Sequence, residues 1–240
     1  MIAAIVQARM GSTRLPGKVL RLSAGKTFLE HLVERLGAAP ILSRIIVATS
    51  VLPGDDPIAT LCRERGIACF RGDERDVMDR YYRAALSVRA TTVVRITADC
   101  PLVDPAIVTH CVEYHRTHGD CFDLVTNRHP LTFPDGLDVD VMSFATLERA
   151  WRQAAKPNQR EHVVPYFWEE GERVHNVEHA ANLFRTHRWT VDYEEDAQLV
   201  GAIFEALYRP GRIFGMEDIL AYLDAHPRLS RLNARYLPAE

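Results

Sequence analysis

The stretch that decides the fold is Met1-Ile-Ala-Ala-Ile-Val-Gln-Ala-Arg-Met-Gly-Ser-Thr-Arg-Leu-Pro-Gly-Lys18. Its first six residues are all apolar and rich in Ile, Val and Ala, which predicts a strand buried on both faces. The loop that follows holds two glycines, a Ser-Thr pair and the cations Arg9, Arg14 and Lys18. Open α/β sheets bind ligands at the carboxyl ends of their strands. Because three crowded cations repel one another unless an anion is bound, the loop predicts a site for a polyanion such as a triphosphate.

Two familiar phosphate-binding patterns do not fit this loop. A P-loop has about four residues between its glycines and a Ser or Thr after its Lys. Here five residues separate Gly11 from Gly17, and Val19 follows Lys18. No GxGxxG pattern occurs in the chain, so a dinucleotide-binding fingerprint is absent. The remaining alternative is a surface loop with solvated charges, which the position directly after the first strand disfavours.

Apolar runs and helical patterns alternate along the chain. Strands are predicted at 1–6, 44–49, 67–70 and 92–97, and helices at 27–36, 55–66, 76–88 and 105–118. Such alternation indicates βαβ crossovers, and therefore an α/β fold with a mostly parallel central sheet and flanking helices. The second half is less regular, with a strand predicted at 137–142, a helix at 161–169, a strand at 188–191 and a helix at 194–207. We predict a single domain over residues 1–240, with 127–187 as an embedded lid or dimerisation segment.

The composition restricts the class of protein. The chain has 240 residues, of which 47% are hydrophobic and 25% charged, as in a globular domain with one core. A net charge of -3 argues against a nucleic-acid partner that needs a broadly basic surface. No apolar run approaches the roughly 20 residues of a membrane span. Five cysteines without a CxxC pattern, and an N-terminus unlike a signal peptide, predict a cytoplasmic protein.

Asp99 follows the predicted strand 92–97, in the stretch Thr97-Ala-Asp-Cys-Pro-Leu-Val-Asp-Pro105. A carboxylate at this end of a strand is well placed to meet a Mg²⁺–triphosphate complex at the same sheet edge, and Mg²⁺ uses few protein carboxylates. The alternative is that Asp99 only initiates a turn. For Asp104 we predict a helix N-cap, with Pro105 at the first helical position.

The loop Arg9-Met-Gly-Ser-Thr-Arg-Leu-Pro-Gly-Lys18 resembles the signature loop of the cytidylyltransferases that activate acidic sugars. These are the 3-deoxy-manno-octulosonate and acylneuraminate enzymes, and the match is closest to their spore-coat-polysaccharide branch, the SpsF-like proteins. The resemblance covers nearly the whole chain. It implies a GT-A-like nucleotide-diphospho-sugar transferase (Rossmann-like) fold, CTP as donor, a sugar acceptor and Mg²⁺ as cofactor. Because relatives are commonly dimers, it also implies a homodimer.

The resemblance implies roles for the phosphate and metal ligands. The expected nucleotide-binding residues of the loop are Ala8, Arg9, Gly11, Ser12, Arg14 and Lys18, with Arg9, Ser12 and Lys18 on the triphosphate. Asp99 lies in an Asp-x-Pro-Leu motif that holds the metal. Asp192 matches a late Thr-Val-Asp-x-x-x-Asp segment, where the first Asp completes the metal site. Helix capping is the alternative for Asp192 and our prediction for Asp196. The expected catalytic residues are Arg9, Lys18, Asp99 and Asp192.

Three further segments match the SpsF-like branch. The stretch Phe133-Pro-Asp-Gly-Leu-Asp-Val-Asp140 places Asp138 and Asp140 on one strand face, where they bind sugar hydroxyls, approach the metal or are simply exposed. The stretch Gln159-Arg-Glu-His162 is expected to line the acceptor pocket through Arg160, Glu161 and His162, with Arg160 pairing with a sugar carboxylate. Arg71 and Arg80 are candidates near the nucleotide base.

Taken with these residues, the resemblance implies a Mg²⁺-dependent enzyme that couples CMP from CTP to an acidic sugar and releases pyrophosphate, for polysaccharide biosynthesis. One alternative is a nucleotidyltransferase on the same fold that uses UTP, GTP or dTTP, or a sugar phosphate as acceptor. Another is a glycosyltransferase on the same fold, which would show an Asp-x-Asp motif after a central strand. Asp138-Val-Asp140 has that form but lies in the wrong segment. A third is a nucleotide-binding module without catalysis.

Overall fold

The centre of the molecule is a twisted, mostly parallel sheet. The strands are β1 (Ile2–Gln7), β2 (Leu22–Ser23), β3 (Lys26–Thr27), β4 (Arg44–Ser50), β5 (Ala68–Gly72), β6 (Thr92–Thr97), β7 (Leu124–Thr126), β8 (Asp140–Ser143) and β9 (Val174–Asn176). In the computed structural model, which describes residues 1–238, seven of them form one sheet in the order β5-β4-β1-β6-β8-β7-β9. Within it, only β8 runs antiparallel to its neighbours. The predicted α/β fold class is confirmed.

Helices cover both faces of this sheet. They are α1 (Phe28–Gly37), α2 (Asp56–Arg65), α3 (Val77–Ser87), α4 (Pro105–His118), α5 (Phe144–Gln153), α6 (Pro157–His162), α7 (Pro165–Glu169), α8 (Glu194–Leu207), α9 (Met216–Ala225) and α10 (Pro227–Ser230). Asp104 caps α4 by accepting a hydrogen bond of 2.7 Å from the Ala106 N–H, and Pro105 is the first helical residue. The predicted capping role of Asp104 is therefore confirmed.

Strand β1 explains why the N-terminal run is apolar at every position. Ala4 and Val6 point into a core formed with α1, α4 and α8, whereas Ala3 and Ile5 point into a second core formed with α3 and α5. A central parallel strand buried on both faces has no position for a polar side chain. The sheet edge at the end of β1 is thus held rigidly by two cores, and the loop that follows starts from a fixed point. No helix within residues 1–238 is both long and apolar enough to cross a bilayer.

Two predicted elements are wrong. The helix predicted at 161–169 is divided into α6 and α7, because Pro165 lacks the N–H that a continuous helix needs. Between them, Val163 adopts a left-handed backbone (φ 68°, ψ -65°) and the Val164 N–H donates to the His162 carbonyl at 2.8 Å. This is a γ-turn, a strained conformation for a β-branched residue.

The predicted strand at 188–191 is also not formed. The N–H groups of Trp189 and Val191 donate to the carbonyls of Asp135 (2.6 Å) and Asp99 (2.8 Å) instead of to a ladder partner. The extended segment therefore ties two loops together. The short strands β7 and β9 lack a sequence pattern of their own and were not predicted.

The segment 127–187 is part of the body of the domain as well as of the cavity wall. It contributes β8 to the sheet, α5 to the second core and α6 to the rim of the cavity described below. Its role as a lid or a dimer contact stays a prediction.

Candidate active site

A cavity of about 360 Å³ opens where β1 and β6 end. Eight of the predicted site residues line it: Arg9, Ser12, Arg14, Lys18, Asp99, Glu161, His162 and Asp192. The sequence did not indicate its other wall residues, which are Gln7, Thr13, Val19, Val77, Arg95, Thr97 and Ala98. Residues far apart in sequence thus meet here because the carboxyl ends of parallel strands share one edge of the sheet.

The loop after β1 is held in shape by its own backbone and by one buried carboxylate. Gly17 has φ 71°, which favours glycine, and its N–H donates to the Met10 carbonyl at 3.0 Å. Asp55 is buried and accepts from the Met10 N–H at 2.7 Å and from the Ser50 hydroxyl. The sequence indicated Asp55 only as the start of a helix, because its partner lies 45 residues away. This closure fixes the direction in which Lys18 leaves the loop.

Lys18 joins the two predicted metal ligands. Its ammonium lies 3.2 Å from Asp99 Oδ2 and 2.8 Å from Asp192 Oδ1, with only 10% of the side chain exposed. Burial lowers the pKa of Lys18, but the charges of Asp99 and Asp192 outweigh burial and raise it above the ordinary value. One cation therefore already contacts both carboxylates.

Asp192 is the most strongly paired acid of the cavity. Besides Lys18, it accepts from Arg14 at 2.7 Å and from Arg188 at 3.0 Å. Burial raises the pKa of Asp192, but the hydrogen bonds from Arg14 and Lys18 prevail and lower it to about 2. Asp192 is therefore ionised throughout the neutral range, as a metal ligand must be.

Arg188 holds Asp192 in place through a wider network. Its guanidinium contacts Asp135 at 2.6 Å and Asp196 at 3.2 Å as well as Asp192. Asp196 is fully buried and accepts from the backbone N–H groups of Asp192 and Tyr193, both at 3.0 Å. The predicted structural role of Asp196 is confirmed. No sequence pattern indicated Arg188, since only the folded loops bring its three acidic partners together.

The donor set fits Mg²⁺. Asp99 and Asp192 are both in contact with one small cationic group, so a single divalent ion could reach both. Within residues 1–238 no cluster of three or more His, Cys, Asp or Glu side chains is arranged to hold a metal. Two carboxylates are what Mg²⁺ commonly takes from a protein, the other positions going to phosphate oxygens and water. That these two aspartates hold it stays a prediction.

Asp135 has an unusual protonation equilibrium. Loss of solvation raises its pKa to about 7, the charge of Asp138 adds to this, and Arg188 opposes it. The folded protein therefore keeps a proton on Asp135 at pH values where the unfolded chain has lost it. This contribution to stability is complete below about pH 4 and is lost as the pH rises towards 7.

We expect Asp135→Asn to flatten the pH dependence of stability. Between about pH 4 and pH 7, the free energy of unfolding should fall less steeply with rising pH in this variant than in the wild type. Urea unfolding at several pH values measures the slope. The exposed Asp120→Asn should keep the wild-type slope, and equal slopes in all three proteins would contradict the assignment.

Two predicted acceptor residues lie behind the cavity wall. Asp140 is fully buried, pairs with Arg95 at 2.8 Å and accepts from the Thr126 hydroxyl at 2.7 Å, so the alternative of an exposed strand residue is wrong for it. Asp138 pairs with Arg128 at 3.4 Å. Neither lines the cavity, although Asp140 acts on it through Arg95, which does. Contact with a sugar stays a prediction for both.

Arg160 turns away from the main cavity. Its guanidinium pairs with Asp76, and it also donates to the Trp151 carbonyl at 2.5 Å. It lines a neighbouring cavity of about 570 Å³, which shares Arg9 and Glu161 with the main one. Arg160 therefore fastens α6 to the start of α3, and Glu161 and His162 reach the cavity from that fixed helix.

The remaining predicted nucleotide-binding residues do not line the main cavity, and their contact with a nucleotide stays a prediction. Arg71 donates to the carbonyls of Ser50 (2.9 Å) and Leu52 (3.0 Å), and buried Arg80 donates to those of Asp73 and Glu74. Ala8 and Gly11 differ in whether a phosphate could reach their backbone. Ala8 is buried and gives its N–H to the Ala48 carbonyl, so that N–H is unavailable to a phosphate, whereas Gly11 is exposed with open space around it.

Known proteins are similar to this chain in sequence and fold. The chain is 32% identical to the spore coat polysaccharide biosynthesis protein SpsF of Bacillus subtilis, over 84% of this chain and 85% of SpsF. It is 37% identical to the 3-deoxy-manno-octulosonate cytidylyltransferase of Solibacter usitatus, over 46% of this chain and 43% of that enzyme. A solved cytidylyltransferase from Leptospira borgpetersenii superposes with a TM-score of 0.89 at 28% identity, covering 95% of each chain.

A family model described as cytidylyltransferase matches residues 3–222. That range includes the loop after β1 and both aspartates that Lys18 joins. The chain therefore belongs to the cytidylyltransferase family and is an enzyme of the nucleotidyltransferase kind.

Proposed function

We propose that this enzyme transfers CMP from CTP to a hydroxyl group of an acidic sugar, with Mg²⁺ held by Asp99 and Asp192. One observation carries the proposal: Arg9, Arg14 and Lys18 converge with the two aspartates on one cavity at the sheet edge. Cations for a triphosphate and carboxylates for its metal are the two components that nucleotidyl transfer requires. Membership of the cytidylyltransferase family supports CTP as the nucleotide.

In the reaction we propose, a sugar hydroxyl oxygen forms a bond to the α-phosphorus of CTP. The bond between that phosphorus and the bridging oxygen to the β-phosphate breaks, and pyrophosphate leaves with the electron pair. The hydroxyl proton passes to solvent. Mg²⁺ bound by the aspartates would neutralise phosphate charge and lower the pKa of the hydroxyl. No covalent intermediate with the protein is needed, because positioning and charge neutralisation supply most of the rate.

The protein groups have distinct parts in this scheme. Arg9 is exposed and forms no ion pair with any residue among 1–238, so its guanidinium can meet the outer phosphates. Ser12 and Lys18 hold the β- and γ-phosphates from the loop, and Arg14 supports them. Since Arg188 and the Asp196 cap fix Asp192, this carboxylate keeps its position while the phosphates change theirs.

For the acceptor, we propose that Glu161 and His162 form the wall that the sugar contacts. The Solibacter relative is named for a 3-deoxy-manno-octulosonate, which supports an acidic sugar here. Pairing of the sugar carboxylate with Arg160 would require it to replace Asp76. The SpsF relative is named for spore coat polysaccharide biosynthesis, which supports a role in making a polysaccharide. We also propose a homodimer, with 127–187 as the contact.

The test is a panel of nucleotides and acceptors. Pyrophosphate release should occur with CTP and Mg²⁺ in the presence of a 2-keto-3-deoxy acid, and mass analysis should find the CMP-sugar. UTP, GTP and dTTP should give much less release, as should neutral sugars. Release with another nucleotide only would contradict CTP as donor. Nucleotide binding without release from any acceptor would contradict the reaction.

A further inference from the structure

With its ammonium, Lys18 occupies the position between the two carboxylates where a divalent cation would bind. Its ammonium is within hydrogen-bond distance of both Asp99 and Asp192, at 3.2 and 2.8 Å, and the side chain is largely buried. Its backbone begins the short helical turn after Gly17, so the side chain approaches the carboxylates from a fixed base. The lone pairs that Lys18 occupies are those a metal ion would need, and the two cations compete for them.

The charges around the carboxylates favour Lys18 in this competition. The two negative charges on Asp99 and Asp192 are already matched by the two positive ones on Lys18 and Arg14, and Arg188 shares its charge with two further acids. A further cation approaching this balanced cluster finds no net attraction, and Mg²⁺ dehydrates reluctantly. A metal ion alone would therefore gain little from the pair.

A bound triphosphate changes the balance of charge around the two carboxylates. It brings several negative charges and many acceptor oxygens to the side of the cavity lined by Arg9, Arg14 and Lys18. Lys18 can then exchange carboxylate oxygens for phosphate oxygens, which frees Asp99 Oδ2 and Asp192 Oδ1 for a metal ion. Metal and nucleotide then bind with positive coupling, which is reciprocal by thermodynamic necessity.

We propose that Lys18 is a positioning residue that substitutes for the metal, holding the two aspartates together and excluding a divalent cation until a triphosphate draws its ammonium away. The inference rests on the proposed function for the identity of the metal and nucleotide sites. It adds an order of events, in which the cation enters with the nucleotide and does not bind beforehand.

The experiment measures Mn²⁺ binding to the protein alone by electron paramagnetic resonance of the free ion. The wild type should bind Mn²⁺ weakly, and Lys18→Met should bind it about 10-fold more tightly. The gain should disappear in the double variant Lys18→Met/Asp99→Asn. Lys26→Met is the matched control, because Lys26 pairs with Glu34 on the surface, and it should bind as the wild type does.

Arg14→Ala provides a second variant if Lys18→Met does not fold. The Arg14 side chain is 51% exposed, so its removal should be tolerated, and a smaller gain in Mn²⁺ affinity is expected. Equal Mn²⁺ affinity of wild type and Lys18→Met, or a gain that survives Asp99→Asn, would overturn the proposal. This measurement uses no nucleotide or acceptor and does not depend on turnover. The proposal for Lys18 can therefore fail while cytidylyl transfer is observed, and cytidylyl transfer can be absent while the proposal for Lys18 holds.

Discussion

Asp99→Asn is expected to lower kcat/KM for CTP by about 10³-fold while leaving the protein folded. Asparagine keeps the size of the side chain but removes the charge that a metal ligand supplies. Its structural cost should be small, because Lys18 keeps its shorter contact with Asp192, at 2.8 Å. In addition, the backbone carbonyl of Asp99, and not its side chain, accepts from the Val191 N–H and the Thr190 hydroxyl. Pyrophosphate release at saturating Mg²⁺ is the measurement.

Two comparisons make this result specific. The exposed Asp120→Asn carries the same chemical change outside the cavity and should keep wild-type turnover. Unfolding curves of Asp99→Asn and the wild type should nearly coincide, which separates loss of chemistry from loss of fold. Wild-type turnover of Asp99→Asn would remove this residue from the metal site.

Gly136→Ala is expected to destabilise the protein by about 3 kcal/mol or more and to abolish activity. Gly136 has φ 107°, and a Cβ there would lie 2.6 Å from the Trp189 carbonyl carbon and still closer to the Thr190 nitrogen. These are backbone atoms that cannot move without displacing the segment 188–192. Asp192 would lose its position together with that segment.

Gly211→Ala separates the cost of a left-handed backbone from the cost of the close contact with the segment 188–192. Gly211 also has a left-handed backbone (φ 78°), but no atom lies within 4 Å of a Cβ built there. Its substitution should cost about 1 kcal/mol for the backbone alone. Urea unfolding of both variants gives the difference. If Gly136→Ala were as stable as Gly211→Ala, the close approach would not be a constraint on the site.

Those features that follow from local pattern could be predicted from the sequence. The apolar run of β1, the strands β4 to β6, the helices α1 to α4 and the cap at Asp104 each depend on residues near in sequence. The closeness of the loop after β1 to Asp99 followed from one further rule, that parallel strands end at a common edge of the sheet. Placing Asp192 beside them needed the resemblance to a family.

What escaped prediction depends on contacts between distant residues. Arg160 was predicted to face a sugar, yet its partner Asp76 lies 84 positions away, and no local pattern could indicate that pair. Arg188 connects three acids that only the folded loops bring together. The segment 188–191 has the composition of a strand but bonds to two loops, because its neighbours in space are loops. Strands of three residues, such as β7 and β9, carry too little pattern to be recognised.

The central claim is that the loop after β1 grips a triphosphate whose metal lies between Asp99 and Asp192. A crystal structure with Mg²⁺ and a non-hydrolysable CTP analogue tests this most directly. We expect the phosphates on Arg9, Ser12 and Lys18, with the metal contacting both carboxylates. Phosphates bound away from this loop, or a metal that touches neither aspartate, would contradict the account.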